Sequence, residues 1–288
     1  MTSPVDYLVL GHVAHDRTPA GPQLGGTVAY SSVVARAMGL RVGIVTSAHP
    51  ADPVLAGLHG LDGLDVHLIP AESSTIFVNT YTEAGRVQVV EGHARTLGLA
   101  DVPESWRRAP IVHLGPITPS LDATIRPENF PASLVGITPQ GYMRTWDEAG
   151  HVSPVPWAQA AAMLPHAVTV LSDEDLGHSE ALEQEYAALA RALVVTRNYN
   201  GASLYLGGVR RDYAAPQIAR LCHPTGAGDV FAAALFVTLL RHPGNWDRAM
   251  IVAVNVASSF VEHCGDPGAP SLESMRRVLE APRLRALL

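Results

Sequence analysis

His223-Pro224-Thr225-Gly226-Ala227-Gly228-Asp229-Val230-Phe231 runs straight into an apolar stretch, Asp229 to Leu240, that reads as a helix. Gly226 and Gly228 let the backbone turn tightly and approach a ligand closely. The free amides and dipole of the following helix make such a turn an anion site. Asp229 falls in the first helical turn, beside whatever those amides hold. A carboxylate there suits taking a proton from a hydroxyl while the amides stabilise phosphoryl charge. The same residues also suit a plain glycine turn with Asp229 as an ordinary residue of the helix start. Phe231 stands where a dinucleotide-binding fingerprint keeps its third glycine, which argues against that use.

Working outward, the chain alternates strands and helices. Val5 to Gly11 reads as a strand, and Gly25-Gly26 opens a helix from Thr27 to Met38. Gly39 closes it and Arg41 to Thr46 is the next strand, which is the rhythm of a parallel sheet. A helix near Ala51 to Leu58 and a strand Asp65 to Ile69 continue the pattern. Thr75 to Thr82 and Arg86 to Glu91 break it, because the short turn Glu83-Ala84-Gly85 makes them a hairpin. The rhythm then resumes with strands Ile111 to Leu114, Leu134 to Ile137, Ala167 to Leu171 and Leu193 to Thr196. A second hairpin spans Ser203 to Tyr213. Pro156 to Leu164, Glu180 to Ala192, Trp246 to His263 and Leu272 to Leu287 read as helices. The expectation is one α/β domain over residues 1–288, a doubly wound, mostly parallel sheet flanked by helices. A small β lid comes from about 12–24 and 73–95.

The net charge is −7, with no basic stripe, so a small-molecule partner is expected rather than nucleic acid or a membrane surface. All 20 basic residues are Arg. Without Lys there is no Walker-A loop, no protein-kinase strand lysine and no Schiff base. Phosphate must be held by backbone amides, Arg or metal. Cys222 and Cys264 are too few for a disulfide framework and are expected to be reduced. No apolar run is long enough to span a bilayer, and the cytoplasm is the default location. The histidines show no converging metal-ligand spacing; His15 suits a surface role or the substrate side.

Thr-Gly-Ala-Gly-Asp before an Ala-rich helix resembles the C-terminal signature of the PfkB (ribokinase-like) carbohydrate kinases. Gly25-Gly26-Thr27-Val28-Ala29-Tyr30 through Gly39 is similar to their N-terminal signature, about 200 residues earlier. The resemblance implies a kinase that uses ATP and Mg2+. Asp229 is then the catalytic base, and Gly226, Ala227 and Gly228 form the anion hole. Asp16, in His12-Val13-Ala14-His15-Asp16, stands where these kinases bind substrate hydroxyls, with Gly25 and Gly26. Tyr30 replaces a substrate-facing Asn and suits either the substrate or the core. Ser172-Asp173-Glu174-Asp175 corresponds to the family's Asn-x-x-Glu magnesium motif with both ends changed. Asp175 keeps a carboxylate, although the four residues also suit a capped helix start.

Thr196-Arg197-Asn198-Tyr199-Asn200-Gly201 corresponds to the nucleotide-strand motif, with Asn198 in place of a Gly. Asn tolerates positive φ. Thr196, Asn198, Gly201, Thr225 and Asn255 are therefore the implied nucleotide contacts. His223 replaces an Asp near a monovalent-cation site, which puts potassium activation in doubt. Within the family the resemblance points to the myo-inositol kinase group, partly through Gln140-Gly141-Tyr142-Met143-Arg144. Arg144 suits a phosphate contact or a solvated loop. The acceptor is thus expected to be a cyclitol, sugar or polyol. The alternatives are a nucleoside kinase, in which lid aromatics such as Phe77 and Tyr81 grip a base, and a non-catalytic ligand-binding homologue. The family resemblance also raises a homodimer through the lid.

Overall fold

Four consecutive apolar residues form β1 (Tyr7–Leu10) at the centre of a nine-stranded sheet. The computed structural model describes residues 3–18, 21–82, 85–222, 224–263 and 270–288. Tyr7 and Val9 face one core, and Leu8 and Leu10 face the other. A strand covered on both faces reads as a continuous apolar run rather than an alternating one.

The chain leaves the sheet through β2 (Ala14–Thr18) and β3 (Gly21–Gly25), then enters α1 (Thr27–Ala37). β4 (Val42–Ala48), α2 (Val54–His59) and β5 (Leu64–Pro70) complete one edge. β6 (Thr75–Thr82) and β7 (Gly85–Gly92) form a hairpin, and β8 (Ile111–Leu114) and β9 (Leu134–Ile137) return to the sheet. There follow β10 (Arg144–Trp146), β11 (Val152–Pro154), α3 (Ala160–Met163), β12 (Val168–Ser172), α4 (Glu180–Leu189) and β13 (Ala192–Thr196). β14 (Ala202–Leu206) and β15 (Val209–Tyr213) precede the helices α5 (Ala227–Arg241), α6 (Trp246–Glu262) and α7 (Leu272–Leu279).

The sheet order is β15-β14-β13-β12-β9-β8-β1-β4-β5. Pairing is parallel from β13 to β5, and the β13–β14 and β14–β15 pairs are antiparallel. Helices α1, α5, α6 and α7 cover one face, and α4 with Trp106 and Trp157 packs against the other. α5 is apolar all round because it is enclosed by α1, α6 and the sheet. Gly136 on β9 lets α5 lie close, since a Cβ there would stand 2.3 Å from the Phe236 ring.

The lid is a second sheet, ordered β3-β2-β6-β7. The stretch between the first strand and the Gly-Gly pair supplies two of its strands. His12 ties the chain crossings into the lid together. Its ring nitrogens bond the Thr75 hydroxyl at 2.7 Å and the Arg95 carbonyl at 2.9 Å. The Ala94 amide donates to the same hydroxyl at 3.2 Å. Burial pushes the His12 imidazole down to about 3, so the clasp is neutral.

Three expectations change. The β10–β11 pair was not anticipated, being two strands of three residues each. The last helix stops at Leu279 rather than Leu287, shortly before Pro282, which lacks the N–H to continue it. Cys222 is disulfide-bonded, so it is not a reduced thiol; Cys264 lies outside the described residues. Gly136→Ala should lower unfolding free energy by about 1–3 kcal/mol through overpacking against Phe236. Chemical denaturation with an unchanged m-value is the check.

Candidate active site

Two helices open on left-handed glycines and meet at the same place. Gly26 caps α1 with φ 88°, and Gly226 caps α5 with φ 82°. Neither position has room for a side chain. A Cβ on Gly226 would stand 2.5 Å from the Tyr30 ring, and one on Gly26 would crowd the Ala14 amide at 3.0 Å. A Cβ on Gly228 would meet nothing within 4 Å, so this residue faces open space. The Ala227 amide is spent on the Pro224 carbonyl at 3.1 Å. Among the described residues, the Gly226 and Gly228 amides donate to no backbone carbonyl. Among the described residues, these two amides are the ones the turn leaves without a backbone acceptor, and Ala227 closes the turn.

The helix starts converge on a cleft of about 230 Å³. It is lined by Asp16, Gly26, Tyr30, Phe77, Arg144, Asp175, Thr196, Asn198, Thr225 and the run Gly226 to Asp229. Asp229 hydrogen-bonds to the Thr27 hydroxyl. Its carboxyl is pushed up to about 6, first by loss of water around it. The Thr27 bond opposes that shift, the Asp175 charge adds to it, and Arg144 opposes it. A carboxyl so poised can take a proton near neutral pH.

At the lid end, Asp16 lies beside Phe77 across the β2–β6 pair. Gly25 does not line the cleft but makes space for Asp16, since a Cβ there would stand 2.2 Å from Oδ2. Asn79 and Gln88, opposite each other on β6 and β7, also line the cleft. The Gln88 amide donates to Asn79 Oδ1 at 2.9 Å. Sequence reasoning missed this pair, although Asn79 shares the face of Phe77 by strand alternation. It also missed Thr27 and Thr138.

At the other end, Asn198 adopts φ 51°, as expected for a residue in a glycine's place. Its amide donates to Glu174 Oε1 at 3.1 Å, joining the loops after β12 and β13. Arg197 is turned away into an ion pair with Glu183. A neighbouring, more apolar cavity is lined by Thr196, Gly201, Ala215, Phe231, Val254 and Ser258, among others. Asn255 lines neither cavity. Its amide donates to the Ile251 carbonyl one turn back at 2.8 Å, and its neighbours Val254, Ala257 and Ser258 face the cavity instead.

Asp175 closes a turn rather than starting a helix, since α4 begins at Glu180 behind Ser179. Its Oδ2 accepts from the Ser172 amide at 2.9 Å and hydroxyl at 2.8 Å, and the residue lines the cleft. Tyr30 is likewise both cleft wall and core, edge-on to Phe260 at 6.0 Å. Arg144 lies in the cleft rather than in a solvated loop. His15 pairs with Asp52 at 3.2 Å and does not line the cleft. His223 lies outside the described residues, as do residues 83 and 84 of the lid turn. Among the described residues, no group of three His, Cys, Asp or Glu could hold a metal, and no helix is long and apolar enough to cross a membrane.

Residues 164–271 match the family model of the pfkB family carbohydrate kinases. A cytidine kinase from Thermococcus kodakarensis is 26% identical over 246 residues, covering 79% of this chain and 86% of that protein. Among solved structures, a pyrophosphate-dependent kinase of the ribokinase family, complexed with a pyrophosphate analog and myo-inositol, superposes with a TM-score of 0.73 at 18% identity. That alignment covers 93% of this chain and 98% of the other. Arabidopsis thaliana ribokinase, complexed with ribose and ATP, superposes with a TM-score of 0.69 at 16% identity, covering 96% and 99%. Residues 164–271 thus resemble the pfkB carbohydrate kinases in sequence, and the chain has a ribokinase-like fold. It is a phosphotransferase acting on a hydroxyl acceptor.

The raised Asp229 pKa has a consequence for stability. Its folded value, about 6, exceeds its ordinary 3.8, so the carboxylate costs stability once ionised. That cost is full above about 6 and vanishes as the pH falls towards 3.8. Asp229→Asn should raise the thermal midpoint at pH 8, and the advantage should shrink between pH 6 and 4. Calorimetric scans across that range test it.

Proposed function

We propose that this kinase transfers a phosphoryl group from ATP to a hydroxyl of a cyclitol, sugar or polyol, with myo-inositol the first candidate. The observation that carries the reading is Asp229, poised at the start of α5 beside the open Gly228 amide. The acceptor lies between Asp16, Gly26, Phe77 and the Asn79–Gln88 pair, a lining rich in groups that bond hydroxyls. Asp229 takes the proton of the reacting hydroxyl as its oxygen attacks. The Gly226 and Gly228 amides, with Arg144, hold the charge on the transferred group. Phosphoryl transfer asks for positioning and charge stabilisation, which a Lys-free chain can supply. Thr196, Asn198 and Thr225 line the donor side, and the apolar cavity beside them suits an adenine. The lid excludes water, which protects the donor from hydrolysis. A dimer through the lid remains part of this proposal.

Magnesium fits the residues present. Asp175 and Glu174 line the same cleft as Asp229, and the charge of Asp175 already raises Asp229. A dication offsets that crowding, and Mg2+ is usually held by one or two carboxylates, water and phosphate. When bound it neutralises charge on the donor phosphates.

A nucleoside acceptor is the second reading, favoured by the cytidine kinase relative. Phe77 is the lid aromatic that lines the cleft; the Tyr81 side chain lies outside the described residues. ADP release from Mg-ATP should be measured against myo-inositol, other cyclitols, hexoses, ribose and nucleosides. Turnover with a cyclitol or sugar, reduced about 10²–10⁴-fold in Asp229→Asn, is expected. Turnover with nucleosides alone would overturn the acceptor class. kcat/KM for Mg-ATP, which reports the free enzyme, should rise with pH through about 6 as Asp229 ionises. Asp16→Ala should raise the acceptor KM about 10- to 100-fold, the range for a lost bond to a charged group, with a smaller effect on kcat. Unchanged constants would remove Asp16 from the acceptor site.

A further inference from the structure

The loop after β13 is held from behind. Thr196, Asn198 and Gly201 line the cleft or the apolar cavity beside it, but Arg197, in the midst of them, lines neither. Its side chain joins a polar cluster that the site described above does not use. Arg197 Nη2 donates to Glu183 Oε1 on α4, and Nε donates to the Ser203 hydroxyl on β14 at 2.9 Å. Glu183 is a buried carboxylate, 6% exposed, and its Oε1 also accepts from the Tyr205 hydroxyl. The Ser203 hydroxyl in turn donates to Asp212 Oδ1, opposite it on β15, at 2.6 Å. One guanidinium thus ties the loop to α4, to β14 and, through Ser203, to β15.

The loop needs such a tie. Asn198 to Asn200 form a single turn of 3-10 helix, and Tyr199 in its middle is 85% exposed, so the tip packs on little. Asn198 holds φ 51° and Gly201 holds φ 95°. A non-glycine residue keeps a positive φ only where its surroundings impose it. The Arg197 amide donates to the Gly201 carbonyl at 2.8 Å, and the Arg197 carbonyl accepts from the Asn200 amide at 2.9 Å. Two of the bonds that close the loop therefore run through the residue whose side chain is anchored. A planar guanidinium held at two of its nitrogens is fixed in direction as well as in place. Breaking the pair would strand a buried carboxylate, so Arg197 stays behind the loop rather than turning to an anion in the cleft.

We propose that Arg197 is a positioning residue for the phosphoryl donor. Anchored by Glu183 and Ser203, it sets the backbone of the loop so that Thr196 and Asn198 face the donor, and it does not touch the donor itself. That the ligand so positioned is the donor rests on the kinase reading above; the anchoring of the loop does not.

Two measurements test it. Arg197→Met alone would leave Glu183 buried without a counter-charge, so the test variant combines it with Glu183→Gln, which removes both charges. The Arg197-position and Asn200 amides of this double variant should exchange hydrogen at least about 10-fold faster than in wild type, with the Val194 amide of β13 unchanged. Unchanged loop exchange overturns the inference whether or not the protein turns over. Equal acceleration at Val194 overturns it too, since the pair would then serve the core and not the loop. In steady-state assays the double variant should raise the KM for Mg-ATP about 5- to 10-fold, the range for one neutral hydrogen bond, and leave the acceptor KM unmoved. Arg197→Lys keeps a charge beside Glu183 but lacks the fork that also reaches Ser203, and should fall between wild type and the double variant. An unchanged KM for Mg-ATP, or an equal rise in both constants, overturns the inference. If wild-type protein phosphorylates no acceptor, calorimetric titration with Mg-ATP takes the place of KM. No binding to wild type then overturns the kinase reading and the donor assignment together, while loop exchange still decides the anchoring.

Discussion

Everything at the site depends on two helix starts being brought within hydrogen-bonding distance of each other. α1 and α5 are separated by most of the sequence, yet Thr27 and Ser31 bond to Asp229, and the Tyr30 ring lies against Gly226. Only glycine at Gly26 and Gly226 tolerates both the left-handed backbone and the crowding. The sheet makes this meeting possible. Gly136 lets α5 settle onto β9, and Gly115 lets the start of α1 settle against the end of β8. The positive ends of both helix dipoles then point at one cleft, which is how a chain without Lys gathers favourable charge for an anion.

The lid is the second consequence of that arrangement. The chain passes from β1 into β2 and β3 before it reaches α1, so the lid grows out of the same corner as the helix start. His12 holds that corner through Thr75 and Arg95 without a charge. A neutral clasp neither attracts nor repels a charged ligand in the neighbouring cleft.

Much of this was legible in the sequence because the decisive signals are local. A parallel strand such as Tyr7–Leu10 announces itself as an apolar run, and glycine pairs before apolar helices announce a turn. Asn198 could be placed at positive φ because few other residues accept it. What escaped was set by pairing between distant segments. Gln88 meets Asn79 only once the hairpin register is known. The short β10–β11 pair has too few residues to show a period. Asn255 was assigned by position along α6, but a helix turns 100° per residue, and its neighbours reach the cavity instead. The buried contacts of Tyr7, His113 and Thr138 had no signal at all, because β1, β8 and the end of β9 meet only through the sheet order.

The charge in the cleft sets the last constraint. Among the described residues, Asp229, Asp175, Glu174 and Asp16 line it against one cation, Arg144, with Arg197 committed to Glu183. An anionic donor entering alone would meet net repulsion that two glycine amides offset only in part. A donor bound with a dication would reverse the sign, relieve Asp175 and Asp229 of each other, and lower the Asp229 pKa towards its ordinary value. In the proposed reaction, therefore, donor binding itself ionises the base. The proton affinity of Asp229 is high while the cleft is empty of cation and falls when the donor is in place. An acceptor that enters first meets a largely hydrogen-bonding site; one that enters second meets a base ready to take its proton.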